Sequence, residues 1–223
     1  MEVFGSNYWF IRCIDYFILV PVIIGIIRLR KIDLDFFPFL LLLFYDFTNE
    51  LLFEILTRTI HTNSISSNVY VLVSFYILLF QLVRWGVIPY KKQIAFLVFL
   101  VLFLLWLIEN TVFSSLWQFN PYNKILFAVC SIFLCLYAIG LSPFLIRKNE
   151  KRITVLIICI AWILKHVILI ISEIFLLYTG DSSLFFQQNL INLVVFSCLL
   201  VNILYTIAVV WIPKKRKYTW LSH

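Results

Sequence analysis

ITVLIICIAWILKHVILIISEIFLLY, residues Ile153–Tyr178, carries one lysine, one histidine and one glutamate in an otherwise apolar run. The run exceeds the ~20 residues that an α-helix needs to cross the hydrocarbon of a bilayer. No soluble core of ordinary size absorbs such a segment, and six more apolar segments surround it. They are Trp9–Ile27, Phe36–Thr57, Val69–Trp85, Ile94–Phe113, Tyr122–Leu145 and Leu184–Trp211. Hydrophobic residues make up 63% of the 223 positions, and the mean hydropathy is +1.02. The expected fold is therefore all-α, an integral membrane bundle of seven transmembrane helices over residues 1–213, with a short basic tail at 214–223. With Gly 5 and Pro 6 there is no flexible linker, no repeat and no room for a separate soluble domain. Aromatics at 18% suit contact with lipid and its interfaces. The start, MEVFGSNYWF, has no basic n-region and no small-residue cleavage site, so it is expected to stay in the mature chain.

Charge placement sets the expected orientation. Arg28, Arg30 and Lys31 follow the first segment; Arg84, Lys91 and Lys92 follow the third. Arg147, Lys148, Lys151 and Arg152 follow the fifth, and Lys214, Lys215, Arg216 and Lys217 form the tail. Fourteen of the 18 Lys+Arg thus share one side of an odd-numbered bundle, against Arg12, Arg58 and Lys124 at helix ends on the other. The positive-inside rule puts the N-terminus outside and the C-terminus in the cytoplasm. It also accounts for the net charge of +7 without nucleic acid, and the tail is placed to touch anionic headgroups. The expected location is a bacterial plasma (inner) membrane.

Polar residues inside apolar segments mark the candidate site, because an ionisable group at membrane depth needs a partner or water. In Tyr45–Arg58, YDFTNELLFEILTR, the acids Asp46, Glu50 and Glu54 recur every four residues and form one stripe on a helix. Two acids one turn apart repel unless something positive or a proton intervenes. Lys165 is the one cation at mid-depth; at ~1.5 Å per residue it and Glu50 both come out about 20 Å from the cytoplasmic edge. The expected ion pair is Glu50–Lys165, with Asp46 or Glu54 competing. His166 and Glu173 share a helix face and are expected to meet. Asn68, Tyr70, Glu109, Asn110, Asp15 and the run Gln187, Gln188, Asn189 and Asn192 fall on the outward halves, whereas Gln81, Asn202 and Tyr205 are the chief polar groups of the inner halves. An outward polar pocket of Glu50, Glu54, Asn68, Tyr70, Lys165, Glu173 and Asn192 over a dry inner half is the resulting expectation.

Several chemistries fit poorly. Only His166 of His61, His166 and His223 lies at depth, which argues against metal hydrolysis, and no cofactor is expected. Glu54-x-x-x-Arg58 lacks the adjacent second Glu and the later histidine motifs of glutamate intramembrane proteases. The last segment has no lysine before Lys214 for a retinal Schiff base, and the signatures of G-protein-coupled receptors are missing. Cys13, Cys130, Cys135, Cys159 and Cys198 show no CxxC spacing and are expected to act as small buried hydrophobes. Pro21, Gly25 and Arg28 closing the first segment, the acidic second segment and Asn68-x-Tyr70 opening the third resemble small stand-alone seven-helix membrane proteins of Bacteroidetes type. The resemblance covers the first third of the chain and implies the seven-helix fold but no activity. The expected function is a sensor or receptor-like subunit that binds a small polar or cationic ligand, or a proton, and signals through a cytoplasmic or membrane partner. The alternatives are a proton or cation transporter and an intramembrane lipid-modifying enzyme.

Overall fold

Apolar runs of this length satisfy their backbone groups only as helices, and the computed structural model is all-α, with seven helices and 87% helix among the described residues. It describes residues 13, 14, 16–88, 92–113, 115–118, 120–146, 149–178 and 184–215. Asp15, Arg12, Lys91, Arg147, Lys148, Arg216 and Lys217 fall outside these residues. The helices are α1 (Leu19–Arg28), α2 (Phe37–Thr59), α3 (Ser64–Arg84), α4 (Lys92–Ile108), α5 (Pro121–Leu145), α6 (Asn149–Tyr178) and α7 (Leu184–Trp211). Short 3-10 turns precede α1 (Tyr16–Ile18) and α2 (Leu34–Phe36), and a π-turn, Glu109–Phe113, ends α4. Five helices are long and apolar enough to cross a membrane: α3, α4 with its π-turn, α5, α6 and α7. α2 is long enough but carries Asp46, Glu50 and Glu54, and the described part of α1 is short.

Six helices close into a ring. α1 packs on α2, α2 on α3, α3 on α5, α5 on α6, α6 on α7 and α7 back on α1. α4 stands outside, against α3 alone among its sizeable contacts with helices. It is apolar all round, yet Phe96, Leu97, Val101, Leu104 and Leu105 are exposed, as expected of a lipid-facing helix. One flank carries an aromatic ladder, Phe96–Phe99–Phe103–Trp106, with centroids 6.3–6.4 Å apart.

The main core fills the half of the ring near the basic residues. Phe39, Leu42 and Leu43 of α2 meet Leu78 and Leu82 of α3, Ile158 of α6 and Tyr205 of α7 there, all nearly inaccessible. Cys135 and Cys159 belong to this core; the other three cysteines are exposed or half-buried, so only two of the five act as the buried hydrophobes expected. Backbone exceptions are each repaired locally. Pro143 cannot donate to Ile139 O, and the Ser142 hydroxyl donates to that carbonyl instead at 3.0 Å. At the π-turn, Asn110 Nδ2 donates to Trp106 O at 2.8 Å.

Buried Gln81 anchors the start of α2. Its Oε1 accepts from Phe39 N at 2.7 Å, one of the donors a helix start leaves without an internal partner, and its Nε2 donates to Asp35 O at 2.6 Å. Gln81→Leu strands both groups and is expected to cost about 1–3 kcal/mol, read as a lower melting temperature in detergent. At the same end the chain is stitched to its far end. Asp33 N donates to Pro213 O at 3.0 Å, Lys215 N donates to Lys31 O at 2.7 Å, and Arg28 donates to Val209 O and Ile212 O at the end of α7. Lys214 and Lys215, the first residues of the expected basic tail at 214–223, thus pair with the joint between α1 and α2.

Candidate functional site

Inside the ring, where the main core gives way, lies a cavity of about 150 Å³. Asp46, Asn49 and Glu50 of α2, Tyr70 of α3, Lys165 of α6 and Asn202 and Tyr205 of α7 line it. At its centre three side chains form a closed ring of hydrogen bonds. Lys165 Nζ donates to Asp46 Oδ2 at 2.7 Å and to Tyr70 OH at 2.5 Å, and Tyr70 OH donates to Asp46 Oδ1 at 2.6 Å. The ammonium also sits 5.2 Å from the centre of the Tyr70 ring, which stacks on Tyr45 at 5.5 Å. Asp46 is 4% exposed and Lys165 29%, the difference being the face that Lys165 turns to open space.

Two further lining features matter chemically. Two acids, Asp46 and Glu50, line the cavity together with Lys165. The Tyr205 hydroxyl is fully buried and has no hydrogen-bond partner among the described residues, so it is left for a ligand or water. A second cavity, about 170 Å³, lies between α3, α5, α6 and α7 and shares Tyr70, Lys165, Ile168 and Cys198 with the first as a common wall. Ser131 lines it, with a buried hydroxyl that likewise has no partner among the described residues.

The geometry corrects the expected pairing. Lys165 bonds Asp46, the competitor, and not Glu50, which lines the same cavity one turn further along α2. Asp46 is the deeper acid and the one that Tyr70 can also reach, so one carboxylate satisfies two donors at once.

Of the seven expected site residues, Glu50, Tyr70 and Lys165 come together, and the other four lie elsewhere. Glu54 is bonded by Arg58 and by the Tyr16 hydroxyl. Asn68 Nδ2 donates to Leu116 O at 3.2 Å and Gln118 O at 3.0 Å, which straps the joint between α4 and α5 to α3. Asn192 is exposed on α7 and lines neither cavity. Glu173 pairs with Lys124, 3.3 Å away, and both side chains are almost fully buried.

That pair displaces the expected His166–Glu173 contact. His166 stacks on Trp162 and accepts from its indole N–H at 3.2 Å, because residues four apart are neighbours on a helix and residues seven apart are two turns away. Lys124, read as a helix-end cation, is buried. Asn49, Ser197, Asn202 and Tyr205 are members of the cavity that the sequence did not place there.

Known proteins offer no guide to this arrangement. No protein family, curated protein or solved structure matches the chain. The reading of the site rests on its own chemistry.

Proposed function

We propose that the chain is a seven-span membrane protein, N-terminus outside and C-terminus cytoplasmic, in a bacterial inner membrane. Five helices have the required length and apolarity, and the exposed apolar face of α4 supports lipid contact. In α2 the acids that set it apart find polar partners within the chain, Asp46 at half-buried Lys165 and Tyr70, Glu54 at exposed Arg58 and at Tyr16. Kinship with the Bacteroidetes-type seven-helix proteins is part of the same proposal.

Within that frame the protein is a sensor or receptor-like subunit whose central cavity binds a small cationic ligand or a proton. The observation that carries this reading is the gathering of Asp46, Asn49, Glu50 and the buried Tyr205 hydroxyl beside Lys165 around a space of about 150 Å³. A cation entering beside Glu50 and Asn49 competes with Lys165 for Asp46. Weakening that bond relaxes α2 and α3 against α6, a change of packing that a membrane or cytoplasmic partner can read.

Thermal melting of purified protein titrated with methylammonium, ammonium and sodium tests this. At least one is expected to stabilise the wild type saturably, and Glu50→Gln to weaken its binding roughly tenfold, about 1.4 kcal/mol. A flat response to all three cations, or an unchanged response in Glu50→Gln, overturns the reading.

A second reading, a proton or cation transporter, is favoured by the two cavities that meet at the Lys165–Tyr70 wall. It requires flux across liposomes that is lost in Glu50→Gln, and closed liposomes would leave the sensor alone.

A further inference from the structure

Away from the central cavity, the outer surface of the ring has an apolar groove of about 220 Å³ between α1 and α2. Gly25, Ile26 and Leu29 form one wall and Phe37, Leu41 and Phe44 the other. The groove is narrow at its base, where a Cβ on Gly25 would stand 3.0 Å from Leu40 Cδ2, and Ile26, Leu29, Phe37, Leu41 and Phe44 are exposed. It begins at the basic end of the bundle, at Leu29 and Phe37, and runs inward along α1 to Pro21, about 12 Å at ~1.5 Å per residue.

The mouth of the groove is cationic. Arg30 and Lys31 follow Leu29 directly, and the backbone pairing of Lys31 with Lys215 brings Lys214 and Lys215 alongside. All four are exposed, and no ion pair to a described carboxylate holds any of them. The neighbouring cations are already engaged, Arg28 by the carbonyls of α7 and Lys151 by Asp35. A cluster of cations next to an apolar slot that descends into the membrane matches one class of molecule in both parts, an acidic head on an acyl tail.

We propose that the α1–α2 groove is a binding site for an anionic phospholipid, with its phosphate at the Lys31–Lys215 corner and one acyl chain lying along Gly25 and Leu41. The site rests on the membrane placement above, though not on the chemistry of the central cavity. A lipid seated there braces the stitched ends of α1 and α7 against α2.

Native mass spectrometry of the full chain in a non-ionic detergent tests it, with dioleoyl phosphatidylglycerol, dioleoyl phosphatidylcholine and glycerol phosphate as probes. Phosphatidylglycerol is expected to be retained at roughly tenfold lower concentration than phosphatidylcholine, and glycerol phosphate hardly at all. Lys31→Gln with Lys215→Gln removes the preference while leaving phosphatidylcholine retention unchanged. Leu41→Trp, which fills the slot from an exposed position, lowers retention of both lipids. Melting curves and the cation titration are expected to stay near wild type in both variants, which separates a failed lipid site from a failed cavity. Equal retention of the two lipids by the wild type, a preference that survives the lysine changes, or glycerol phosphate binding as tightly as the whole lipid overturns the proposal. Release of the protein from membranes by alkaline carbonate without detergent would overturn the membrane placement itself.

Discussion

Asp46→Leu destabilises the protein by about 3 kcal/mol, and adding Lys165→Met to it restores at least half of that loss. Breaking a buried pair by removing one partner costs about 3–5 kcal/mol because the remaining charge has no partner. The lower end applies here, since Lys165 keeps a face open to the cavity and retains its bond to Tyr70. The single change also takes the acceptor from the Tyr70 O–H, which in the wild type donates to Asp46. In the double variant the ammonium is gone and a thioether chain of similar length fills its place. Reversible unfolding of the four proteins of the cycle in mixed micelles measures the coupling. Additive losses would show that Asp46 and Lys165 act separately, and the latch between α2 and α6 would go with them.

The Lys124–Glu173 pair gives the second large effect, with a different outcome for the double variant. Both side chains are almost wholly buried, so Glu173→Leu takes the carboxylate from the Lys124 ammonium between α5 and α6 and costs about 3 kcal/mol or more. Glu173 Oε2 has no hydrogen-bond partner among the described residues even in the intact protein, so the carboxylate is incompletely satisfied. Replacing a pair of that kind with apolar groups of like volume is often neutral or stabilising. Lys124→Met with Glu173→Leu is therefore expected to melt within a few degrees of the wild type, or above it. A double variant as unstable as Glu173→Leu would mean that the pair holds α5 and α6 in register through something besides mutual neutralisation.

Hydropathy located the helices because lipid-facing and core-facing positions of a membrane bundle are both apolar. Phe36–Thr57 became Phe37–Thr59, and Leu184–Trp211 kept its bounds. The third segment begins five residues earlier than Val69, at Ser64, because its first turns carry Ser, Asn and Ile facing the joints, and a polar turn of helix looks like a loop to a hydropathy count. The site was legible in outline only. An acidic stripe and one deep lysine were enough to say that α2 and α6 meet, but depth counted along two helices does not separate acids one turn apart. The choice between Asp46 and Glu50 came from Tyr70, whose hydroxyl adds no charge for a sequence reading to follow. Tyr205 and Asn202 were noticed as inner polar groups yet not assigned to the pocket, since direction around α7 cannot be read from position alone. Lys124 could have been found by the same depth count that was applied to Lys165, because it lies a turn from the start of α5 and Glu173 a turn or two from the end of α6.

Closure of the ring through α1 and α7 has a consequence for how the protein is made. α1 leaves the ribosome before α7, so the grip of Arg28 on Val209 and Ile212 forms only after α7 has been made. Until then α1 can lean on α2, and the guanidinium must find another partner. The nascent bundle therefore stays an open arc until α7 arrives, and that helix decides whether the ring closes or the chain becomes a substrate for quality-control proteases.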